Sequence, residues 1–218
     1  MVITAGYGDK LETIFQGNID EMMSDKKGTD WITTIKAKDG IHAIQNGYTS
    51  LTVASGTKKE DLIKNVIADM PNLIAGVLGS PAESEKSSKR SEVLVGNSAG
   101  IITAQTDGKA FIDNEEMHIL SRDEVLTSPQ VLLIGEENPL LSTPKRRETF
   151  IDVPVLFYPQ ARAGELCELR SIVKLYNGGY KIIGFIHDIT ISQSLSGNAT
   201  TMLQLDAGSG ALIYKDRK

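Results

Sequence analysis

The stretch WITTIKAK, residues 31–38, has the alternation that decides the fold class of this chain. Its alternate positions divide into two sets, which are Trp31, Thr33, Ile35 and Ala37, and Ile32, Thr34, Lys36 and Lys38. Successive side chains of a β-strand point to opposite faces, so this period of two predicts a strand with one apolar face and one mixed face. The pair Asp39-Gly40 follows it and is typical of a turn.

The sequence on both sides of this strand also predicts β structure. Val2–Ala5 and Leu11–Ile19 are apolar enough for strands, and turn residues at positions 6–9 separate them. A further short strand is predicted over Thr49–Ala54. We therefore assign residues 1–56 to a first, small barrel-like domain.

A helix is predicted after these strands. Thr57 and Glu60 match a Thr-x-x-Glu capping box, in which each side chain satisfies a free backbone N–H of the first turn. The apolar residues that follow at helical spacing are Leu62, Ile63, Val66, Ile67 and Met70. Pro71 closes the segment. A stripe of this kind is typical of a helix packed on a core.

The remaining middle part is predicted to combine a loop with short regular elements. Gly79–Glu92 has no large apolar side chain, which predicts an exposed and mobile loop. The elements predicted after it are a strand at Val93–Val95, a helix from Asn97 to about Thr106, and a hairpin of Ala110–Ile112 with Met117–Leu120 around Asn114-Glu115. Residues 57–128 are thus predicted to be an α+β middle region.

The last ninety or so residues return to β patterning. Candidate strands are Val131–Ile134, Phe150–Tyr158, Leu166–Val173, Tyr180–Ser192, Thr201–Asp206 and, more weakly, Ala211–Tyr214. Two dipeptides, Gly178-Gly179 and Gly197-Asn198, are typical of the ends of hairpins. Residues 129–218 are therefore predicted to form a second barrel-like domain. The predicted fold class is α+β and mainly β, with two small antiparallel β-barrel-like domains and a small α/β insertion between them.

Composition narrows the classes of function. The 218-residue chain carries 23 Lys and Arg against 28 Asp and Glu, a net charge of −5, which argues against tight general binding of nucleic acid. The longest apolar stretches, such as Val131–Ile134 and Ile182–Ile186, are too short to cross a bilayer, and the first residues do not resemble a secretory signal. Cys167 is the single cysteine and is predicted to be a small buried residue of a strand, without a reactive thiol.

One motif points to catalysis. Residues 96–100 match Gly-x-Ser-x-Gly, the nucleophile elbow, and Ser98 with His187 and either Asp113 or Asp152 has the chain order of a hydrolase triad. An α/β-hydrolase needs a mostly parallel sheet, however, and amphipathic strands precede this serine. We favour the interpretation that Asn97 or Ser98 caps a short helix.

The other polar residues do not form a pattern that is typical of a catalytic or metal-binding site. His42, His118 and His187 are scattered without metal-ligand spacing, and Glu165 and Glu168 form too common a pair to indicate acid–base work. The basic triplet 145–147, Lys-Arg-Arg, is predicted to be a solvated loop that follows Pro144. We expect no catalytic, cofactor-binding or metal-binding residues.

Three stretches resemble the baseplate hub proteins of long-tailed bacteriophages and related phage-derived injection machines. They are AGYGDKLETIFQGNIDEMMSDKKGTDWITTIKAKDG (Ala5–Gly40), GNSAGIITAQTDGKAFIDNEEMHILSRDE (Gly96–Glu124), and NPLLSTPKRRETFIDVPVLFYPQARAGELCELRS followed by GGYKIIGFIHDITIS (Asn138–Ser192). The family's Ala-Gly-Tyr strand, Phe-x-Gly-x-Ile step, Thr-Asp-Trp strand and Pro-x-x-x-x-Gly turn are matched in order, the turn at Pro159–Gly164. The order of the motifs is more specific than any one of them.

The resemblance implies a structural protein of the virion tail baseplate, made in the host cytoplasm, with no cofactor and no membrane segment. It implies a homotrimer in which two barrels per subunit surround a pore, joining a sixfold tail tube or tube-initiator protein to a threefold central spike protein. DNA would pass through the pore without specific binding, and three chains at −5 carry 3 × (−5) = −15. Hub proteins usually have further strands ahead of the Ala-Gly-Tyr segment. We therefore hypothesise an incomplete first barrel, with the missing edge supplied by another tail protein or a second copy, and we expect segments such as Ile151–Leu156 to serve as exposed interfaces.

Two alternatives remain at this stage. The first is a small serine esterase that uses Ser98 and His187, and hydrolysis abolished by Ser98→Ala would favour it. The second is a tail-tube or tube-initiator protein, which is also structural. Such proteins generally form hexameric rings with one barrel per subunit, so subunit stoichiometry distinguishes them from a hub.

Overall fold

A computed structural model describes residues 1–83, 90–127, 132–135, 139–191, 197–206 and 213–215 of the chain. The chain divides into two compact units, each with its own apolar core. Unit 1 comprises Met1–Thr4 and Thr13–Ser121, and unit 2 comprises Ala5–Glu12 and Arg122–Lys218. The described residues are mainly β with a few short helices, which confirms the predicted α+β, mainly β class.

The first 121 residues begin with four strands, continue with alternating helices and strands, and end in a pair of strands. The strands are β1 (Val2–Tyr7), β2 (Lys10–Gln16), β3 (Asn18–Lys27), β4 (Asp30–Lys38), β5 (Tyr48–Val53), β6 (Ile74–Leu78), β7 (Glu92–Asn97), β8 (Ala110–Asp113) and β9 (Glu116–Ile119). The helices are α1 (Ile41–Asn46), α2 (Lys59–Ala68), α3 (Ser80–Glu83) and α4 (Ser98–Thr106). Four small sheets result, namely the pairs β1–β2, β3–β4 and β5–β7 and the three-stranded sheet β6–β9–β8.

Helix α2 supplies much of the unit 1 core. Leu62, Ile63, Val66 and Ile67 are buried, as the 3.6-residue period predicted. The predicted capping box is wrong, because Lys58 is the N-cap residue and makes no side-chain cap hydrogen bond. The Thr57 hydroxyl donates instead to the Ala54 carbonyl oxygen (2.9 Å), so it stabilises the turn before the helix.

The hairpin of β8 and β9 confirms the turn predicted at Asn114-Glu115. Both residues have left-handed backbone angles, with φ of 54° and 64°, as a tight two-residue turn requires. The parallel strand β6 beside β9 was not predicted. Its Gly76 is needed there, since a Cβ atom would lie 2.4 Å from Cε1 of the buried His118 ring.

The predicted loop 79–92 is shorter than expected. Residues 80–83 form α3, where Ala82 is fully buried, and β7 begins at Glu92. Residues 84–89 lie outside the described residues. The loop was predicted from the lack of large apolar side chains. A small residue such as Ala82 can nevertheless pack in a core, and that criterion does not detect it.

Unit 2 contains one large sheet. Its further strands are β10 (Glu124–Leu126), β11 (Leu132–Ile134), β12 (Lys145–Arg146), β13 (Phe150–Leu156), β14 (Leu166–Leu169), β15 (Gly178–Ile189), β16 (Ala199–Asp206) and β17 (Ile213–Lys215). The six-stranded sheet has the order β11-β14-β15-β16-β13-β12, and β10 pairs with β17 in parallel. A short 3-10 helix, Lys174–Tyr176, precedes β15. Val131, Ser192, Ala211 and Leu212, which belong to predicted strands, lie outside the described residues.

Strand β15 changes its partner along its length. Its first residues pair with β14, and from Ile182 onward it pairs with β16, with an irregularity in register between Ile182 and Gly184. Such irregularities increase local twist, and here the irregularity lies close to the point where the strand changes its partner. The edge strands β11 and β12 do not pair with each other in the described part of the chain, so no closed barrel is seen there.

Two predictions about this sheet are corrected. Ile151–Leu156 was expected to be an exposed interface, but β13 lies between β12 and β16, and Ile151, Val153 and Val155 are buried in the core. The basic triplet was expected to be a loop, but Lys145 and Arg146 form β12 and pair with β13. Cys167 is buried in β14 as predicted, and burial raises the pKa of its thiol.

Candidate functional site

Ser98 is positioned as a structural residue. It is the first residue of α4, it is fully buried, and its hydroxyl is hydrogen bonded to the Thr49 hydroxyl (2.9 Å). Asn97 is the N-cap, and its side-chain oxygen accepts a hydrogen bond from Gly100 N (2.9 Å), which confirms the capping interpretation. A nucleophilic serine needs a base within hydrogen-bond distance and access to substrate, and this hydroxyl faces a threonine inside the core.

The other members of the suggested triad have partners of their own. His187 Nδ1 lies 2.9 Å from Thr201 Oγ1, which also accepts a hydrogen bond from Tyr158 N (2.9 Å). Burial, and to a lesser degree Arg162, lowers the pKa of His187 to about 4, so the ring is neutral near pH 7. Asp152 accepts a hydrogen bond from Arg147 Nε (2.9 Å). These contacts hold the fold and do not assemble a charge-relay arrangement.

His187 belongs to an aromatic cluster in unit 2. Its ring lies 5.2 Å from the Phe157 ring in an edge-to-face arrangement and 5.0 Å from the Phe185 ring. Tyr7 packs on Phe157 at 6.0 Å, and its hydroxyl donates to the Phe157 carbonyl oxygen (3.0 Å). The end of the β1–β2 hairpin is thereby fixed within unit 2.

Among the described residues, His, Cys, Asp and Glu side chains form no group of three suited to holding a metal ion. Within the same part of the chain, the helices are too short or too polar to span a membrane.

The most unusual surface is a long two-stranded ribbon. We call β3 and β4 with their turn, residues 18–38, the ribbon. Most of its residues are exposed, and neither strand pairs with a third strand in the part of the chain that the structure describes. Ribbons of two strands are marginally stable in water unless another surface covers them.

One face of the ribbon, called here its apolar face, carries three large exposed apolar side chains beside two hydroxyl residues and Lys26. Met22 lies opposite Ile35, Ser24 opposite Thr33, and Lys26 opposite Trp31. These side chains share the face that period-two alternation predicted for Trp31 and Ile35, although that face is not buried within the chain. Trp31 is 70% exposed, Met22 67% and Ile35 45%. Large apolar groups grouped on one exposed face are typical of an interaction surface.

The opposite face of the ribbon carries ion pairs together with the exposed side chains of Met23 and Ile32. Lys36 Nζ lies 2.7 Å from Glu21 Oε2. The Lys38–Asp20 pair, 2.6 Å apart, lies near the base. The ribbon contains four acidic and four basic residues, which gives it no net charge although the whole chain is at −5.

The base of the ribbon is held by a polar clamp centred on Glu115. Its carboxylate accepts hydrogen bonds from Gln16 Nε2 (2.9 Å) and Asn18 Nδ2 (3.2 Å). Glu115 N donates to Asp39 Oδ1 (2.9 Å), so both ends of the ribbon are joined to the β8–β9 turn. Burial raises the pKa of Asp39, although backbone hydrogen bonds from Glu115 and Asn114 oppose this.

A second exposed surface, this one without charged side chains, lies on the outer face of the β5–β7 pair. The register places six exposed side chains on this face, namely Tyr48, Ser50, Thr52, Val93, Val95 and Asn97. Tyr48 is 62% exposed and Val93 66%, and none of the six is charged. The other face, with Leu51, Leu94 and Val53, packs on the unit 1 core.

Unit 2 also exposes apolar and charged groups. Ile172 and Leu175, between β14 and β15, are almost fully solvent-exposed. The basic triplet borders an open depression of about 870 Å³, in which Arg147 pairs with Asp152 and Glu148 adds a further acid. The positive charges are thus largely balanced locally.

Sequence reasoning missed both exposed surfaces, the ribbon and the outer face of the β5–β7 pair. It predicted the alternation in β4 but not the partner strand β3, whose mixed charges and paired methionines differ from a buried strand. The available signal was the equal number of acidic and basic residues between positions 18 and 38, which suits a solvent-exposed hairpin.

These features define a structural subunit with exposed β surfaces. The family model described as baseplate hub gp41 matches residues 1–193, and the chain belongs to that family. This confirms the resemblance inferred from the three sequence stretches. The protein is accordingly a structural component of a bacteriophage tail baseplate.

Solved structures agree with this fold. A tail protein from Neisseria meningitidis MC58 is similar with a TM-score of 0.57 and 8% identity, covering 89% of this chain and 80% of that one. The 43 kDa tail protein of prophage MuSo2 from Shewanella oneidensis is similar with a TM-score of 0.55 and 8% identity, covering 89% of this chain and 76% of that one. No similar sequence was found among curated proteins.

Proposed function

We propose that this chain forms a homotrimeric hub that joins a sixfold tail tube, or its initiator protein, to a threefold central spike. Two barrel-like domains per subunit would provide six similar surfaces toward the tube, while the threefold axis matches the spike. The hub acts by assembly alone, without turnover and without a cofactor.

The observation that carries this proposal is the family match over residues 1–193. The fold supports it, because two units with separate cores provide two β-rich bodies in one subunit. The exposed β surfaces with large apolar side chains support it as well, since stable assemblies bury such surfaces between subunits.

We further propose that the trimer lines the conduit for DNA. Three chains carry 3 × (−5) = −15, and like charge keeps the phosphate backbone from adhering to the wall. DNA can pass without specific binding along a wall with negative charge, whereas a basic wall would bind the phosphates.

The test is the solution mass of the purified chain, alone and with the tail proteins encoded beside it. We expect three times the mass of one chain, or a complex in which three copies bind three or six copies of a neighbour. A hexameric ring of the chain alone would instead indicate a tube or tube-initiator protein, and a chain that stays monomeric with every neighbour would reject the hub.

The esterase alternative is tested separately. The buried, threonine-bonded Ser98 hydroxyl gives no reason to expect hydrolysis, so the wild-type chain and Ser98→Ala should show equal, background rates with activated esters. Hydrolysis that Ser98→Ala abolishes would contradict the proposal that the hub acts by assembly alone.

A further inference from the structure

We propose that the apolar face of the ribbon of one copy packs on the outer face of the β5–β7 pair of the next copy. The inference rests on the proposed trimer and identifies the surfaces that would form it. The ribbon is the donor surface, and the six exposed side chains of the β5–β7 face are the acceptor surface.

The two surfaces match in chemistry. The donor presents Met22, Trp31 and Ile35, and the acceptor presents Tyr48, Val93 and Val95. Apolar faces of two-stranded sheets pack on each other at about 10 Å, with the side chains interdigitating. Aromatic residues and methionine are the types most enriched at the centre of such contacts.

Charge favours a second copy as the occupant. An acidic chain at −5 repels its own copies least where the touching surfaces carry no acidic side chains. The contact face of the ribbon carries one charged side chain, Lys26, and the acceptor face has no charged residue. A basic partner would instead select an acidic surface, and neither of these surfaces is acidic.

Position within the chain favours a ring. Donor and acceptor are different surfaces of the same compact unit, so contact between copies is head-to-tail. The Glu115 clamp holds both ends of the ribbon to unit 1, which fixes the angle between the donor and acceptor surfaces. A fixed angle is what allows head-to-tail contacts to close after a set number of copies.

The first experiment uses the sole tryptophan of the chain, Trp31, as a probe. Its emission should shift to shorter wavelength as the concentration of the wild-type chain rises and the trimer forms. Val93→Glu places a charge on the acceptor and should weaken trimer formation at least about thirtyfold, while its Trp31 emission stays at long wavelength.

The second experiment mixes two defective chains. Trp31→Glu removes the donor and Val93→Glu the acceptor, and both side chains are exposed in the single chain, so each variant should stay folded and melt as the wild type does at concentrations too low for the trimer to form. Each variant alone should be monomeric, whereas an equimolar mixture should form a 1:1 dimer through the one intact contact. Thr34→Glu, on the opposite face of the ribbon, is the matched control and should still form the trimer.

The outcomes separate this inference from the proposed function. A wild-type trimer that persists in Trp31→Glu and Val93→Glu would overturn the contact and leave the hub intact. A mixture of the two variants that stays monomeric would also overturn the contact. So would a Trp31→Glu chain that remains trimeric but no longer binds a neighbouring tail protein. A wild-type chain that never forms a trimer, alone or with its neighbours, would overturn both.

Discussion

Asn18 and Glu115 are 97 positions apart in the chain, yet Asn18 Nδ2 donates to Glu115 Oε1 at 3.2 Å. The same carboxylate accepts from Gln16, and the Glu115 backbone N–H donates to Asp39. One residue in a left-handed turn thus joins both ends of the ribbon to the β8–β9 hairpin. The ribbon therefore depends on a distant turn for its attachment.

We expect Glu115→Ala to loosen the ribbon. Removing the carboxylate leaves two part-buried amide donors without their acceptor, which should lower the free energy of unfolding by about 1–3 kcal/mol. Hydrogen exchange should accelerate in residues 18–38 more than elsewhere in unit 1. Glu115→Gln, which keeps one acceptor oxygen and the same backbone strain, should give a smaller effect. Unchanged exchange in the ribbon would show that the clamp contributes nothing.

Gly17→Ala should destabilise the base of the ribbon through a steric clash. A Cβ atom at this position would lie 2.6 Å from the Lys38 carbonyl oxygen and 2.7 Å from Phe15 Cζ. We expect a loss of about 1–3 kcal/mol in chemical denaturation. Gly100→Ala in α4 is the control, since its nearest atom is at 3.8 Å and alanine favours a helix by about 1 kcal/mol. Equal effects of the two variants would argue against the clash.

Stability should fall with acidification because of His187. Its folded-state pKa is about 4 against an ordinary 6.5, so the unfolded chain binds more protons between these values. The contribution of the neutral ring is complete above about pH 6.5 and is lost as the pH falls toward 4. Allowing for the partial solvent access of the ring, we expect a loss of about 1–2 kcal/mol.

The measurement is the free energy of unfolding of the wild type and His187→Asn from pH 7.5 to 4. The variant should be less stable at pH 7.5, and the difference between the proteins should shrink as the pH falls. His42→Gln changes an exposed histidine of α1 and is the matched control for replacing a histidine. A constant difference between the wild type and His187→Asn would contradict the assignment.

Cys167 should be inert in the folded protein. Its side chain is fully buried in β14, and burial raises the pKa of the thiol, so very little thiolate is available at neutral pH. An aromatic disulfide reagent should modify it only after unfolding by denaturant. Ile172→Cys, at a fully exposed position, is the positive control and should react at once. Rapid reaction of the native wild-type chain would indicate that unit 2 opens readily.

Sequence patterns were sufficient for elements whose periodicity is local. The period of two in Trp31–Lys38 predicted β4 and its two faces, and the period of 3.6 in α2 predicted the buried stripe. Periodicity distinguishes faces but does not say what covers them, so it did not reveal that the Trp31 face is exposed. It likewise did not show that β13 is enclosed by β12 and β16, which depends on pairing between distant segments.

The failures at short elements have local causes. Helix α2 begins one residue later than the capping motif requires, so Lys58 takes the N-cap position and its side chain makes no cap hydrogen bond. Strand β6 was missed because Ile74–Leu78 contains Gly76, a residue usually read as a break. Here the glycine lets the strand approach His118, whose Nδ1 accepts a hydrogen bond from Val77 N (3.0 Å). Such a close approach is visible only in three dimensions.

The double pairing of β15 has a consequence for how the protein is made. Because β14 and β16 both pair with this strand, neither half of the unit 2 sheet is complete until β15 and β16 have emerged from the ribosome. Strand β13 is synthesised earlier, so its apolar side chains stay exposed to solvent during translation until β15 and β16 are available. Sheets that depend on such long-range pairing fold slowly. Premature termination after β13 should therefore yield an aggregating fragment, and rapid expression at high temperature should favour inclusion bodies over native subunits.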